Sequence, residues 1–156
     1  MTVPFQYPTI AHVRRHGPSG YADYSSYRPW LRDEFAFRCV FCLLRERWVT
    51  GGFHLDHFQP VAHHPDRATD YDNLLYSCAV CNTTKGDLKI PDPMKVLVES
   101  EVNVLSDGSL EATTTAAKKL IRLLDLNSRA YRDYRVCGWT SWPWRRKKNR
   151  TCTVCY

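Results

Sequence analysis

Four of the seven cysteines in this 156-residue chain stand in two like turns, Cys39-Val-Phe-Cys42 and Cys78-Ala-Val-Cys81, with 35 residues between them. Two Cys-x-x-Cys turns supply four thiolates, the donor set of a tetrahedral structural zinc site with bonds of about 2.3 Å. The alternatives are four buried free thiols or two disulfides. An odd cysteine total and an expected cytoplasmic location, where thiols stay reduced, both argue against a disulfide framework. The intervening segment is longer than a compact zinc ribbon needs, so it reads as a functional insert between paired ligands. A clamp of this kind says nothing by itself about catalysis. A thiol oxidoreductase fits poorly, because neither turn sits in a thioredoxin-like βαβ pattern.

Inside the clamp lie Phe53-His-Leu-Asp-His-Phe-Gln-Pro60 and Asp72-Asn-Leu-Leu-Tyr-Ser-Cys78, and Cys81-Asn-Thr-Thr-Lys-Gly86 closes it. Taken singly, Asp56 reads as a surface carboxylate, His57 as a packed strand residue, Asn73 as a helix cap and Asn82 as a turn former. In this order, between two cysteine pairs, they form a more specific pattern. An Asp-His pair on a hairpin, an Asn-Leu after a loop, and a Cys-x-x-Cys followed by His or Asn and then Lys resembles the HNH endonuclease family. The resemblance covers residues 29–90, and Leu123-Leu-Asp-Leu-Asn127 extends it weakly.

The resemblance implies an α+β fold with a treble-clef-like ββα-metal core, stapled by zinc on Cys39, Cys42, Cys78 and Cys81 and flanked by helices. It also implies metal-dependent hydrolysis of DNA phosphodiester bonds, with RNA as a further substrate class. Such hydrolysis needs a deprotonated water in line with the leaving oxygen and a cation to offset developing charge. His57 is the expected general base, since an imidazole can accept a proton at neutral pH. Asp56 and Asn82 offer hard oxygen ligands for Mg2+ or Mn2+, and an amide at position 82 in place of imidazole favours those ions over zinc or nickel. Asn73 is expected to orient the His57 ring by hydrogen bonding, and Lys85 to contact a phosphate. The competing reading is a catalytically inert zinc module that binds nucleic acid or protein.

The positioning elements follow from local pattern. Pro29 opens a helix to about Ala36, with Leu31 and Phe35 stacked four apart. Glu46–Thr50 and Phe53–Phe58 are expected to form a hairpin through Gly51-Gly52, ended by Pro60. Adjacent strand residues face opposite sides, so bringing both Asp56 and His57 into one site calls for a bulge near the strand end. Residues 61–72 are breaker-rich loop, and a helix begins within 73–87. Val96–Val104 suggests a strand turning at Ser106-Asp107-Gly108. Thr113–Thr115 offer caps for a helix to Leu126, and Asn127 or Ser128 caps another to about Val136.

The domain division is an arm over 1–28, the nuclease domain over 29–136 and a Cys- and Trp-containing basic tail over 137–156, expected to be mobile. In the arm, Tyr21, Tyr24, Tyr27 and Trp30 recur at near-helical spacing and are expected to pack on the core rather than stack on bases. The formal charge of +6 comes mainly from Arg145, Arg146, Lys147, Lys148 and Arg150; without them 17 basic residues face 16 acidic ones. Charge alone therefore does not establish a nucleic-acid partner. His54, His63 and His64 are expected to be exposed. Cys137, Cys152 and Cys155 read as free thiols, since a second zinc would have to recruit His12, His16 or a carboxylate. No secretory signal or membrane-spanning run is apparent.

Overall fold

The computed structural model describes residues 5–140, with backbone alone for 137–140. The basic run at 145–150, Cys152, Cys155 and the Cys137 side chain fall outside the described residues. Among those described, no helix is long and apolar enough to cross a membrane.

The chain runs α1 (Arg28–Glu34), β1 (Phe53–His57), β2 (Leu74–Cys78), α2 (Ala79–Lys85), α3 (Pro93–Val96), β3 (Val102–Val104), β4 (Leu110–Ala112), α4 (Thr115–Leu123) and α5 (Arg129–Thr140). The class is α+β: two separate two-stranded antiparallel sheets, β1–β2 and β3–β4, with helices packed around them. The core gathers Leu31 of α1, Phe53 and Leu55 of β1, Leu74, Leu75 and Tyr76 of β2, and Leu120 and Leu124 around α4. Burial of each such aliphatic side chain contributes about 1.5–3 kcal/mol. Pro29 lies in the first turn of α1, and Thr114 caps α4 by accepting from Ala117 N–H at 3.3 Å.

The expected hairpin through Gly51-Gly52 does not form. Glu46–Trp48 is a turn of 3-10 helix, and the partner of β1 is Leu74–Cys78, reached through the long loop over 58–73. Every residue of β2 is buried, so its sequence shows no polar alternation by which a strand is told from a helix. Val96–Val104 likewise splits: Pro93–Val96 is a short helix capped by Asp92, and only Val102–Val104 is strand. Gly108, with φ of 79°, makes the turn to β4 beneath the Arg132 carbonyl of α5, and a β-carbon there would collide with that backbone.

The N-terminal arm is stitched to this body. Phe5 and Tyr7 are buried, and Glu34 at the end of α1 accepts from the backbone N–H of Arg15 and His16 at 2.8 and 3.0 Å. The same carboxylate meets His12 Nε2 at 2.7 Å and the Tyr71 hydroxyl at 3.1 Å. His16 pairs with Asp33 at 2.7 Å, so both arm histidines are engaged by carboxylates.

Candidate metal centre and active site

The two cysteine turns meet at the Phe53/Cys78 end of the β1–β2 hairpin. Cys39 N–H donates to Leu44 C=O at 2.9 Å, and Leu43 takes a positive φ of 62° to close the first turn. Cys78 ends β2 and caps α2, which places Cys81 one turn inside the helix. All four side chains are buried, unbridged, and their sulfurs lie within 4.8 Å of one another. Cys42 and Cys78 sulfurs are 3.8 Å apart, whereas a disulfide requires about 2.05 Å. A tetrahedron with 2.3 Å bonds has edges of about 3.8 Å, so this cluster fits zinc. Burial and the neighbouring sulfurs hold the Cys42 thiol well above its ordinary range, so four thiolates here need a cation to offset their charge. Outer groups hold the ligands: the Tyr131 hydroxyl of α5 lies 3.1 Å from Cys81 sulfur, and Tyr7 donates to Phe41 C=O at 2.6 Å.

The expected catalytic residues lie around the opposite end of the same hairpin. The ladder is unbroken, pairing Asp56 with Leu75 and His57 with Leu74, and Phe58 N–H continues it to Asn73 C=O at 2.8 Å. The expected bulge is therefore absent, because the loop's own hydrogen bonds hold the strand regular past His57. Neighbours on a regular strand face opposite sides. Asp56 faces α2 while His57 turns toward the arm and the 58–73 loop.

Asp56 is 5% exposed and takes a 2.9 Å hydrogen bond from Lys85 Nζ through Oδ1. Burial raises its pKa, and the Lys85 ammonium works against that rise. Lys85 is itself buried, and its ammonium also donates to His57 C=O at 2.6 Å. The expected phosphate contact by Lys85 is not what the structure places there. The residue ties α2 to β1 and has no free face for a phosphate. Asn82, half-buried, sits three residues before Lys85 on the same helical face.

Whether a divalent cation suits this spot turns on the second carboxylate oxygen. Asp56 Oδ2 is buried without any hydrogen-bond partner. A buried carboxylate oxygen left unpaired costs free energy, and a hard cation is one partner that would satisfy it. Oxygen donors such as Asp56 Oδ2 suit a hard ion such as Mg2+ or Mn2+ rather than a soft one.

His57 donates from Nε2 to the Ala68 carbonyl at 2.9 Å. A carbonyl only accepts, so Nε2 carries a proton, and in the neutral ring this leaves the lone pair on Nδ1. Tyr24 of the arm packs edge-to-face on the imidazole, with centroids 4.8 Å apart and planes at 68°. Asn73, fully buried, does not touch His57 as expected. Its amide donates to Gln59 and Arg67 carbonyls at 3.0 and 3.2 Å, and its Oδ1 accepts from Gln59 N–H at 2.8 Å. It fastens both ends of the loop that carries Ala68, and so acts on His57 at one remove. Arg67 adds to the same loop through Gln59 and Asp70.

His54 and His63 are exposed and His64 is half-buried. Ala68 left no mark in the sequence, because its contribution is a backbone carbonyl. Tyr24 was visible as one of a tyrosine series that divides its labour: Tyr27 enters the core, Tyr21 packs on Tyr27 at 4.9 Å, and Tyr24 covers the imidazole.

Residues 39–88, from the first cysteine to just past α2, match the family model of the HNH endonuclease. The mixed α+β architecture and the four-cysteine cluster accord with an HNH ββα-metal core of a zinc-binding subtype. A comparison with curated proteins gives no match.

Proposed function

We propose that the chain is a metal-dependent endonuclease that hydrolyses DNA phosphodiester bonds. The observation that carries this reading is the pair of unfilled valences at the end of β1: the lone pair on His57 Nδ1 on one side, and the partnerless Oδ2 of Asp56 on the other. An in-line displacement sets the attacking and leaving oxygens on opposite sides of phosphorus. Asp56 and His57 leave opposite faces of a regular strand, so this reading requires the strand end to twist until both face one phosphate. His57 accepts the proton of the attacking water at Nδ1, with Ala68 and Tyr24 holding the ring. Asp56 and Asn82 would hold the divalent ion, while Lys85 aims the Asp56 carboxylate and opposes the burial that raises its pKa. The ion, when bound, supplies positive charge against the departing 3′ oxygen.

The Lys85–Asp56 pair favours a second reading, an inert zinc module, because the carboxylate already has a cationic partner. Plasmid cleavage with Mg2+ or Mn2+ separates the two. The enzyme is expected to nick or linearise DNA, and His57→Ala to abolish this with the fold intact. Equal cleavage by both proteins would remove His57 from the mechanism, and no cleavage of any nucleic acid by the parent would leave the inert module. A strong preference for zinc or nickel in the assay would overturn the assignment of Asp56 and Asn82 to a hard cation.

A further inference from the structure

The first cysteine turn also builds a surface that neither zinc binding nor hydrolysis uses. Arg38 and Arg45 pair across it as an isolated antiparallel bridge. Cys39 N–H bonds to Leu44 C=O and Glu46 N–H to Phe37 C=O on either side of that bridge. The two arginines are therefore a non-hydrogen-bonded pair, the closer kind, with Cα atoms about 4.5 Å apart and side chains on one face. Like charges directly opposite on paired strands repel. Among the described residues no carboxylate comes within ion-pair distance of Arg38, Arg45 or Arg47. The undescribed side chains bring no Asp or Glu either, since 1–4 and 137–156 contain none.

Trp48 organises the group. The Arg45 and Arg47 guanidiniums each lie 5.6 Å from its ring centroid, and Phe5 and Tyr134 wedge it at 6.2 and 5.8 Å. An arginine held against an aromatic face loses less freedom on binding, and its planar fork matches phosphate oxygens. Three guanidiniums with no carboxylate partner among the described residues, two of them packed on one indole, form a preorganised polyanion site. It is built on the turn that carries Cys39 and Cys42, at the zinc end of the hairpin.

We infer that Arg38, Arg45, Arg47 and Trp48 form a docking face for the phosphate backbone of a nucleic acid, separate from the scissile site. The choice of nucleic acid as the polyanion rests on the nuclease reading above. The phosphate chemistry rests on the arginines alone.

The test uses the full chain carrying His57→Ala, zinc-loaded, titrated against a fluorescein-labelled 20-base-pair duplex over a series of salt concentrations. Each phosphate contact removed lowers the log–log salt slope by about 0.9. Combined R38Q, R45Q and R47Q are expected to flatten the slope by about 2 to 3. R122Q, an unpaired arginine on α4, is expected to leave it unchanged. The thermal midpoint of the triple variant should hold or rise, because a like-charge pair is relieved. Should it fall, R47Q alone carries the test, with an expected change of about 1 in slope, since Arg47 is exposed. An unchanged slope in these variants would overturn the docking face, as would an equal loss in R122Q. Loss of phosphatidylserine-vesicle binding with duplex binding retained would overturn it in favour of a membrane surface. Cleavage by the parent enzyme with no slope change would refute the face and keep the nuclease. A flattened slope in a protein that never cleaves would keep the face and refute the nuclease.

Discussion

The two ends of the β1–β2 hairpin are built on opposite principles. At the Phe53/Cys78 end, four sulfurs backed by two tyrosine hydroxyls and a capped helix are each taken up by a tetrahedral cation once one is present. At the His57/Leu74 end, a buried carboxylate oxygen and an imidazole nitrogen stand unpaired on opposite faces. Closed valences stabilise, and open ones are where a ligand gains by binding. The short strand between them lets the first end hold the second rigid without sharing its chemistry. Breaking the cysteine end should therefore remove structure, and breaking the histidine end should remove only reaction.

The largest expected effect is at the cysteine end. Zinc removal or Cys42→Ser should forfeit folding energy on the order of 10 kcal/mol, as much as a small domain's whole stability. Circular dichroism with and without chelator checks it, and a folded, cooperative apo-protein would show that the cluster is not the staple. Next comes His57→Ala, expected to cut DNA cleavage by about 10²–10⁴-fold with an unchanged thermal midpoint. A lowered midpoint would blur the division between the two ends.

Lys85→Met sits on the border. It strips a buried carboxylate of its only cation and should cost about 3–5 kcal/mol in denaturant unfolding. Added Mg2+ should restore part of that loss if Asp56 and Asn82 bind it, and no recovery would weaken the assignment. Tyr24→Ala should lower cleavage a few-fold to about tenfold, the worth of one aromatic pair, while Tyr24→Phe restores it.

The smallest expected effect is one of pH on the arm. Burial would raise the Glu34 pKa, but hydrogen bonds from Arg15, His16, His12 and Tyr71 outweigh it and hold the pKa below the ordinary carboxylate value. A depressed pKa contributes stability above the unfolded value, about 4.3, that is lost as pH falls through the folded one. Glu34→Gln should therefore destabilise at neutral pH and flatten the acid limb of the stability profile. An identical acid limb in the variant would rule out this carboxylate as its source.

What the sequence made legible was local. The cysteine turns, Pro29 opening α1, the cap at Thr114 and the order of Asp56, His57, Asn73 and Asn82 all depend on neighbours within a few residues. Leu74–Cys78 was not legible as a strand, because burial on both faces erases alternation and leaves an apolar run that a helix could equally use. Gly51-Gly52 carried a true turn signal, yet β1 found its partner across the whole 58–73 loop, a pairing that no short-range pattern encodes. Side-chain type misled at Lys85, where a cation suited to phosphate is buried against Asp56. It misled also at Asn73, whose amide reads backbone carbonyls rather than the imidazole.

The contact between Tyr24 and His57 bears on how far this reaction centre can be transplanted. Residues 39–88 contain every side chain assigned to zinc, base or cation. Cut out at those limits, the segment would keep each of them and lose the aromatic wall beside its imidazole, along with the Arg14 donor to the Leu74 carbonyl at the base of β2. A graft meant to carry the chemistry elsewhere must start upstream of Tyr24.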